Sequence, residues 1–125
     1  MSAPRAGPEA RLPAGVSVGH WTDAQGLTGC TVVLVPGGAV GGVDVRGGAP
    51  GTINTDGLRP GTVTEQAQAI LLTGGSAFGH AAASGVLRYF VERGIGLMFG
   101  SVAVPIVAGA VILSLIHISE PTRPY

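Results

Sequence analysis

The stretch Thr73-Gly74-Gly75-Ser76-Ala77-Phe78-Gly79 sets a hydroxyl where an apolar run gives way to a helical pattern. In that setting a serine can attack a carbonyl, or backbone amides can hold a phosphate. As a phosphate loop the stretch lacks the Gly-Lys-Ser/Thr ending that supplies a lysine and a magnesium-binding hydroxyl. As a dinucleotide fingerprint it fails the G-x-G-x-x-G spacing, because Ser76 stands at the second glycine position. It comes closer to a nucleophile elbow, with Gly74 two residues before Ser76 at a strand-to-helix junction. The elbow then wants glycine at position 78, where this chain has Phe78. No aspartate follows Ser76 anywhere, so the usual Ser…Asp…His order is not completed. Helix N-cap is the better reading of Ser76.

His20 and His80 are the remaining candidates for acid–base work. Neither has a second histidine or cysteine at ligand spacing, so a zinc site has little support. Asp44 and Asp56 are isolated, and read as solvated loop carboxylates. Arg46, followed by Gly47-Gly48, could clamp a carboxylate; a structural ion pair is an equal alternative. No cofactor is expected.

The elements that would position these groups are legible in part. Val16 and Val18 alternate with small residues before a turn-like His20-Trp21-Thr22-Asp23. Residues 30–35 are short, β-branched and bounded by glycine and by Pro36-Gly37-Gly38, which predicts a buried strand. Residues 39–45 predict a second, glycine-interrupted strand, and the pair predicts a hairpin around Pro36-Gly37-Gly38. Residues 46–61 predict loop, and residues 67–73 a strand running into Gly74-Gly75. After Ser76, the residues Phe78, Ala82, Val86 and Phe90 recur every four positions, with Ala83 and Leu87 widening the stripe. That pattern predicts a helix, with Gly94 as its C′ residue. Residues 94–118 carry no formal charge and are long enough to span a bilayer, since about 20 apolar residues suffice. Valine and glycine dominate there and Pro105 sits in the middle, so two buried strands, 96–99 and 101–112, fit as well.

Composition narrows the classes further. Charged residues make up only 11% of the chain, against roughly 25% in typical chains. Glycine is abundant, with 22 among 125 residues. Seven basic and seven acidic residues balance, with no basic cluster, which argues against nucleic acid as a partner. The lone Cys30 cannot form an internal disulfide and points to a reducing compartment, hence the cytoplasm; its bland role is a buried small hydrophobe. Residues 1–14 have no apolar h-region and read as a disordered start. Residues 113–123 read LSLIHISEPTR, which resembles the in-frame translation of a transposase-end adapter used in sequencing libraries. Residues 113–125 are therefore set aside as an adapter-derived tail, and residues 15–112 taken as the domain.

Taken together, several strings resemble one family, the P1 peptidases, also described as DmpA-like aminopeptidases or peptidase family S58. They are Gly15-Val16-Ser17-Val18-Gly19-His20 with Thr22-Asp23, then Gly29-Cys30-Thr31-Val32-Val33, then residues 41–52 (GGVDVRGGAPGT). Asp56, the stretch from Thr73 to Gly79, Glu92-Arg93-Gly94-Ile95-Gly96, and Val104-Pro105-Ile106-Val107 with Ala110-Val111-Ile112 follow in order. The resemblance implies an α/β fold, part of a four-layer αββα sandwich. It implies a precursor of three hundred or more residues that cleaves itself before a serine or threonine, whose hydroxyl then acts as nucleophile with its own amine as base. It implies hydrolysis of amino-terminal peptide amides and esters, and a homo-oligomer of processed α/β pairs. On this reading the chain is the amino-terminal part of the larger subunit, contains no catalytic residue and is inactive alone. Gly74, Gly75, Ser76 and Phe78 would form substrate-pocket wall. Where relatives carry a tyrosine, this chain has Phe78, which puts a polar role there in doubt.

Two alternatives stand beside that expectation. One is a small membrane-anchored protein using residues 94–118. The other is a non-catalytic binding or oligomerisation module.

Overall fold

A computed structural model describes residues 11–113 of the chain. Residues 1–10 and 114–125 lie outside the described residues, and with them most of the expected disordered start and of the adapter-like tail.

Two strands open the fold, β1 (Ser17–Asp23) and β2 (Thr28–Val40), paired antiparallel with His20 opposite Thr31. The expected turn at His20–Asp23 is thus strand, and the reversal falls at residues 24–27. Asp23 sets it: its carboxylate accepts the N–H groups of Gln25 and Gly26, each at 3.0 Å, an Asx turn that mimics a backbone turn. The hairpin expected at Pro36-Gly37-Gly38 is not there. The chain runs on, and four residues of β2, from Val35 to Gly38, stand against Gln68 alone of β4 (Gln66–Thr73). Gly38 takes a φ of +78° there. Such a glycine, and a proline that cannot donate, are tolerated in a strand where a bulge releases the ladder. Of the second strand expected at 39–45, only Ala39 and Val40 remain in β2.

The loop after it contains the two-residue β3 (Thr52–Ile53) and a 3-10 turn at Asp56–Leu58. Beyond β4 come a 3-10 segment (Ser76–Ala81), α1 (Ala82–Val91), and the strands β5 (Leu97–Phe99), β6 (Val102–Val104) and β7 (Val107–Val111). Pro105 splits the strand expected at 101–112 in two. The membrane-helix reading of residues 94–118 fails over its described part, 94–113, which holds β5, β6 and β7. Among the described residues no helix is long and apolar enough to cross a membrane.

Strand order in the main sheet is β1-β2-β4-β7-β3. Among the described strands only β4 and β7 are parallel, joined across α1, while β5 and β6 pair separately. The fold is mixed α/β. Strand register gives each face a composition. On one face lie Leu34, Ala69 and Val107, then Val32 and Leu71, then Cys30 and Thr73. Helix α1 covers that face with Ala83, Val86 and the fully buried Phe90, while Cys30 packs at the edge of this core. The end of α1 is a Schellman motif. There Ile95 N–H donates to Phe90 O and Gly94 N–H to Val91 O, with Gly94 at φ +62°.

The other face has two cross-strand rows, Val18-Val33-Ile70-Ala108 and His20-Thr31-Leu72-Ala110. A bulge where both Gln68 and Ala69 donate to Ile106 O brings Ala67 to this side, where it clusters with Leu58 and Ala108. Residues 41–50 and the 3-10 turn shield that end alone. Ile70 and Leu72 stay almost half exposed.

Candidate functional site

The apolar run of β4 is the central strand between β2 and β7, and it ends at Gly74. Three backbone hydrogen bonds fix the chain as it leaves the sheet. Gly74 N–H donates to Gly29 O at 2.9 Å, Ser76 N–H to Ile112 O at 3.1 Å, and Ile112 N–H to Thr73 O at 2.8 Å. The turn is therefore tied to β2 on one side and to the end of β7 on the other.

Within it, Gly75 (φ +83°) and Ser76 (φ +55°) are successive left-handed residues. Glycine takes that conformation freely, whereas for an L-residue it costs about 1–2 kcal/mol. Two glycines are demanded by close approach. A Cβ at Gly79 would fall on Gly74 O, and one at Gly74 on Thr28 Oγ1. The turn thus packs on backbone at Gly79 and on a threonine hydroxyl at Gly74, and Ser76 is its non-glycine residue at positive φ.

The expected N-cap role of Ser76 does not hold. Helix α1 starts six residues later with Ala81 at its N-cap, and Ser76 is the first residue of the 3-10 segment, whose N-cap position is Gly75. The tighter 3-10 pitch also rotates Phe78 away from the helical stripe. Its ring is left 72% exposed. Gly74, Gly75, Ser76 and Phe78 lie in one turn at the end of the central strand, and of the four Gly74 lines the groove beside it. Among the described residues the two histidines complete no serine triad: the His20 ring bonds Thr31, and the His80 Nε2 is buried with no hydrogen-bond partner there.

Next to the turn a groove of about 480 Å³ crosses the ends of β1, β2 and β4, lined by His20, Thr22, Gly29, Thr31, Leu72 and Gly74 among others. A second, of about 330 Å³, lies between residues 42–55 and the open sheet face, with Arg46 at its rim. Arg46 is occupied by Asp44 at 2.8 Å, both well exposed, so the ion-pair reading of that arginine holds. Asp56 likewise pairs with Arg59 at 3.1 Å. Among the described residues no cluster of histidine, cysteine and carboxylate could hold a metal ion.

Thr31 and Gly29 carry part of this geometry and sequence reasoning missed both. The signal was the hairpin register: once the reversal is set at Asp23, Thr31 falls opposite His20, and Gly29 opposite Thr22.

Comparison with known proteins adds an independent line. Residues 14–121 match the profile of Peptidase family S58. An uncharacterized aminopeptidase of Mycobacterium tuberculosis is 50% identical over 109 residues, covering 81% of this chain and 32% of the relative. One from Mycobacterium bovis matches to the same extent, and one from Mycobacterium leprae is 46% identical over 109 residues, covering 30% of the relative. The chain spans about a third of the length of these relatives.

Proposed function

The chain belongs to peptidase family S58, and on that premise we propose that it is the amino-terminal part of an autoprocessed aminopeptidase acting on amino-terminal peptide amides and esters. The observation that carries the reading is the continuous family match over residues 14–121, beside half-identity to proteins named aminopeptidases. The turn at Gly74 supports it physically. Strained non-glycine residues persist where surrounding structure holds them, and they concentrate at ligand sites. Ser76 is such a residue, at the end of the central strand and beside a groove.

In the full-length protein the attacking group is the hydroxyl of a serine or threonine downstream of residue 113, freed by self-cleavage. Its hydroxyl adds to the substrate carbonyl, the amine or alcohol leaves with a proton, and water then releases the acid from the ester intermediate. The αββα sandwich is completed by a second sheet packed on the open face. The segment 113–125 is read as adapter-derived from its string alone, although the family match runs on to residue 121, and the protein resides in the cytoplasm as an assembly of processed α/β pairs. In that protein Gly74, Gly75, Ser76 and Phe78 wall the substrate pocket, while the present chain contributes no nucleophile.

The test is the full-length gene product assayed with an aminoacyl amide and resolved on a denaturing gel. Turnover together with two processed bands is expected, both lost when the serine or threonine at the cleavage point becomes alanine. Hydrolysis by the 125-residue chain unaided would overturn the proposal. A full-length protein that binds but never hydrolyses would favour the binding-module reading.

A further inference from the structure

The hairpin of β5 and β6 stands apart from the main sheet and pairs with no other strand among the described residues. Its register sets Leu97 opposite Val104 and Phe99 opposite Val102. These four side chains therefore share one face, with Met98 and Ala103 on the other. Phe99 is 51% and Val102 59% exposed, and Val104 is open to solvent as well. The hairpin is fixed at its base. It follows the Schellman turn at Gly94, and a Cβ on Gly96 would fall on the backbone of Val104 and Pro105. At the tip, Gly100 takes a φ of +61° in a two-residue loop, as tight hairpins require. A lone pair of strands is marginal in water unless its apolar face is covered.

Two features decide what covers it. Residues 94–113 carry no charged side chain, and the charges just before them are held within α1. Arg88 pairs with Glu92 at 2.7 Å, and Arg93 lies 3.8 Å over the Tyr89 ring. Across a twofold axis a patch meets its own copy, so a charge there would face its like; this patch has none. The chain also leaves the described fold at the far end of a strand from the hairpin. β6 leads into the start of β7 through Pro105, whereas Ile112, bonded to Thr73 O, lies past the other end of β7. Nor does the row Val18-Val33-Ile70-Ala108, which the second layer covers, include a hairpin residue. We propose that the face of Leu97, Phe99, Val102 and Val104 is a self-association surface, packed on the same hairpin of a second copy about a twofold axis. Because the hairpin is preformed, little ordering opposes the contact. This names the surface that joins the processed pairs, and it rests on the assembly in that reading rather than on hydrolysis.

The experiment follows the full-length protein by light scattering on a sizing column, with thermal melts of the same samples. Val102→Lys is expected to raise the dissociation constant of the assembly at least about a hundredfold, the usual effect of a buried unpaired charge. Its cooperative melt should persist. Phe99→Ser should weaken assembly in the same direction by less. Mixing Val102→Lys with Val102→Glu protein should recover assembled mass, since opposite charges then share the interface. An assembly unchanged in both single variants would overturn the proposal. So would loss of the folded melt in both, which would put the hairpin beneath the protein's own downstream chain. If the wild-type protein is itself monomeric at micromolar concentration, the assembly reading falls and this surface with it. Hydrolysis by that monomer would still leave the aminopeptidase reading standing.

Discussion

Two nearby glycines, Gly79 and Gly85, should respond to alanine with opposite signs. Gly79 leaves no room for a Cβ against Gly74 O, so Gly79→Ala must shift the turn. Overpacking of this kind costs about 1–3 kcal/mol, and here the obstacle is backbone that cannot swing aside. Gly85 lies in α1, exposed and with nothing near its Cβ position. Gly85→Ala should therefore stabilise by about 0.5–1 kcal/mol through helix propensity. Denaturant melts of the two variants in the full-length protein check both signs. At this scale the sequence was half informative. The string Gly74-Gly75-Ser76 announced a tight turn, because consecutive glycines before a hydroxyl residue rarely continue a strand. It did not announce that Ser76 itself would be left-handed. That conformation follows from Ser76 N–H reaching Ile112 O at the end of another strand, a distant contact that no local pattern encodes.

The helix was the most legible element, since its three buried side chains, Ala83, Val86 and Phe90, obey helical spacing and its stop signal is a glycine. Both features are testable. Phe90 is fully buried against Leu71 and Val107, so Phe90→Ala should cost about 3–5 kcal/mol. Gly94 sits at φ +62°, held there by the Schellman bonds. A Cβ is strained in that conformation, so Gly94→Ala should cost about 1 kcal/mol. Thermal or urea unfolding of each variant separates the two, and a Gly94→Ala loss as large as that of Phe90→Ala would contradict this account. The strands were less legible. Pro36-Gly37-Gly38 has the composition of a turn, but a bulge in a long strand asks for the same residues, a missing donor and a positive φ. Only pairing with Gln66 and Ala67 tells the two apart. The real turn was masked because the carboxylate that caps it, Asp23, ends a stretch of aromatic and polar residues without proline, and its left-handed residue is Leu27 rather than a glycine.

For the molecule as a whole the decisive feature is asymmetry between the two sheet faces. One is sealed by α1, while the row Val18-Val33-Ile70-Ala108 on the other is covered at one end only. Val18 is 37% and Ile70 46% exposed, which is costly for β-branched residues in the middle of a sheet. The chain by itself should therefore associate, since exposed apolar faces and a β1 edge with no neighbour among the described residues both recruit partners. Replacing Val18 and Ile70 together by lysine discriminates between a face that is meant for solvent and one that is meant for a second layer. In the 125-residue chain the double variant should shift a concentration-dependent, dye-binding assembly toward monomer, read by light scattering and by fluorescence of a hydrophobic probe. In the full-length protein the same pair should abolish folding, because two ammonium groups would be buried between layers without partners. Opposite outcomes in the two lengths are what a covered face requires. A full-length protein that tolerates both lysines would mean the face stays open in it. A sharp cooperative melt from a monodisperse monomer of the short chain would mean that two layers suffice.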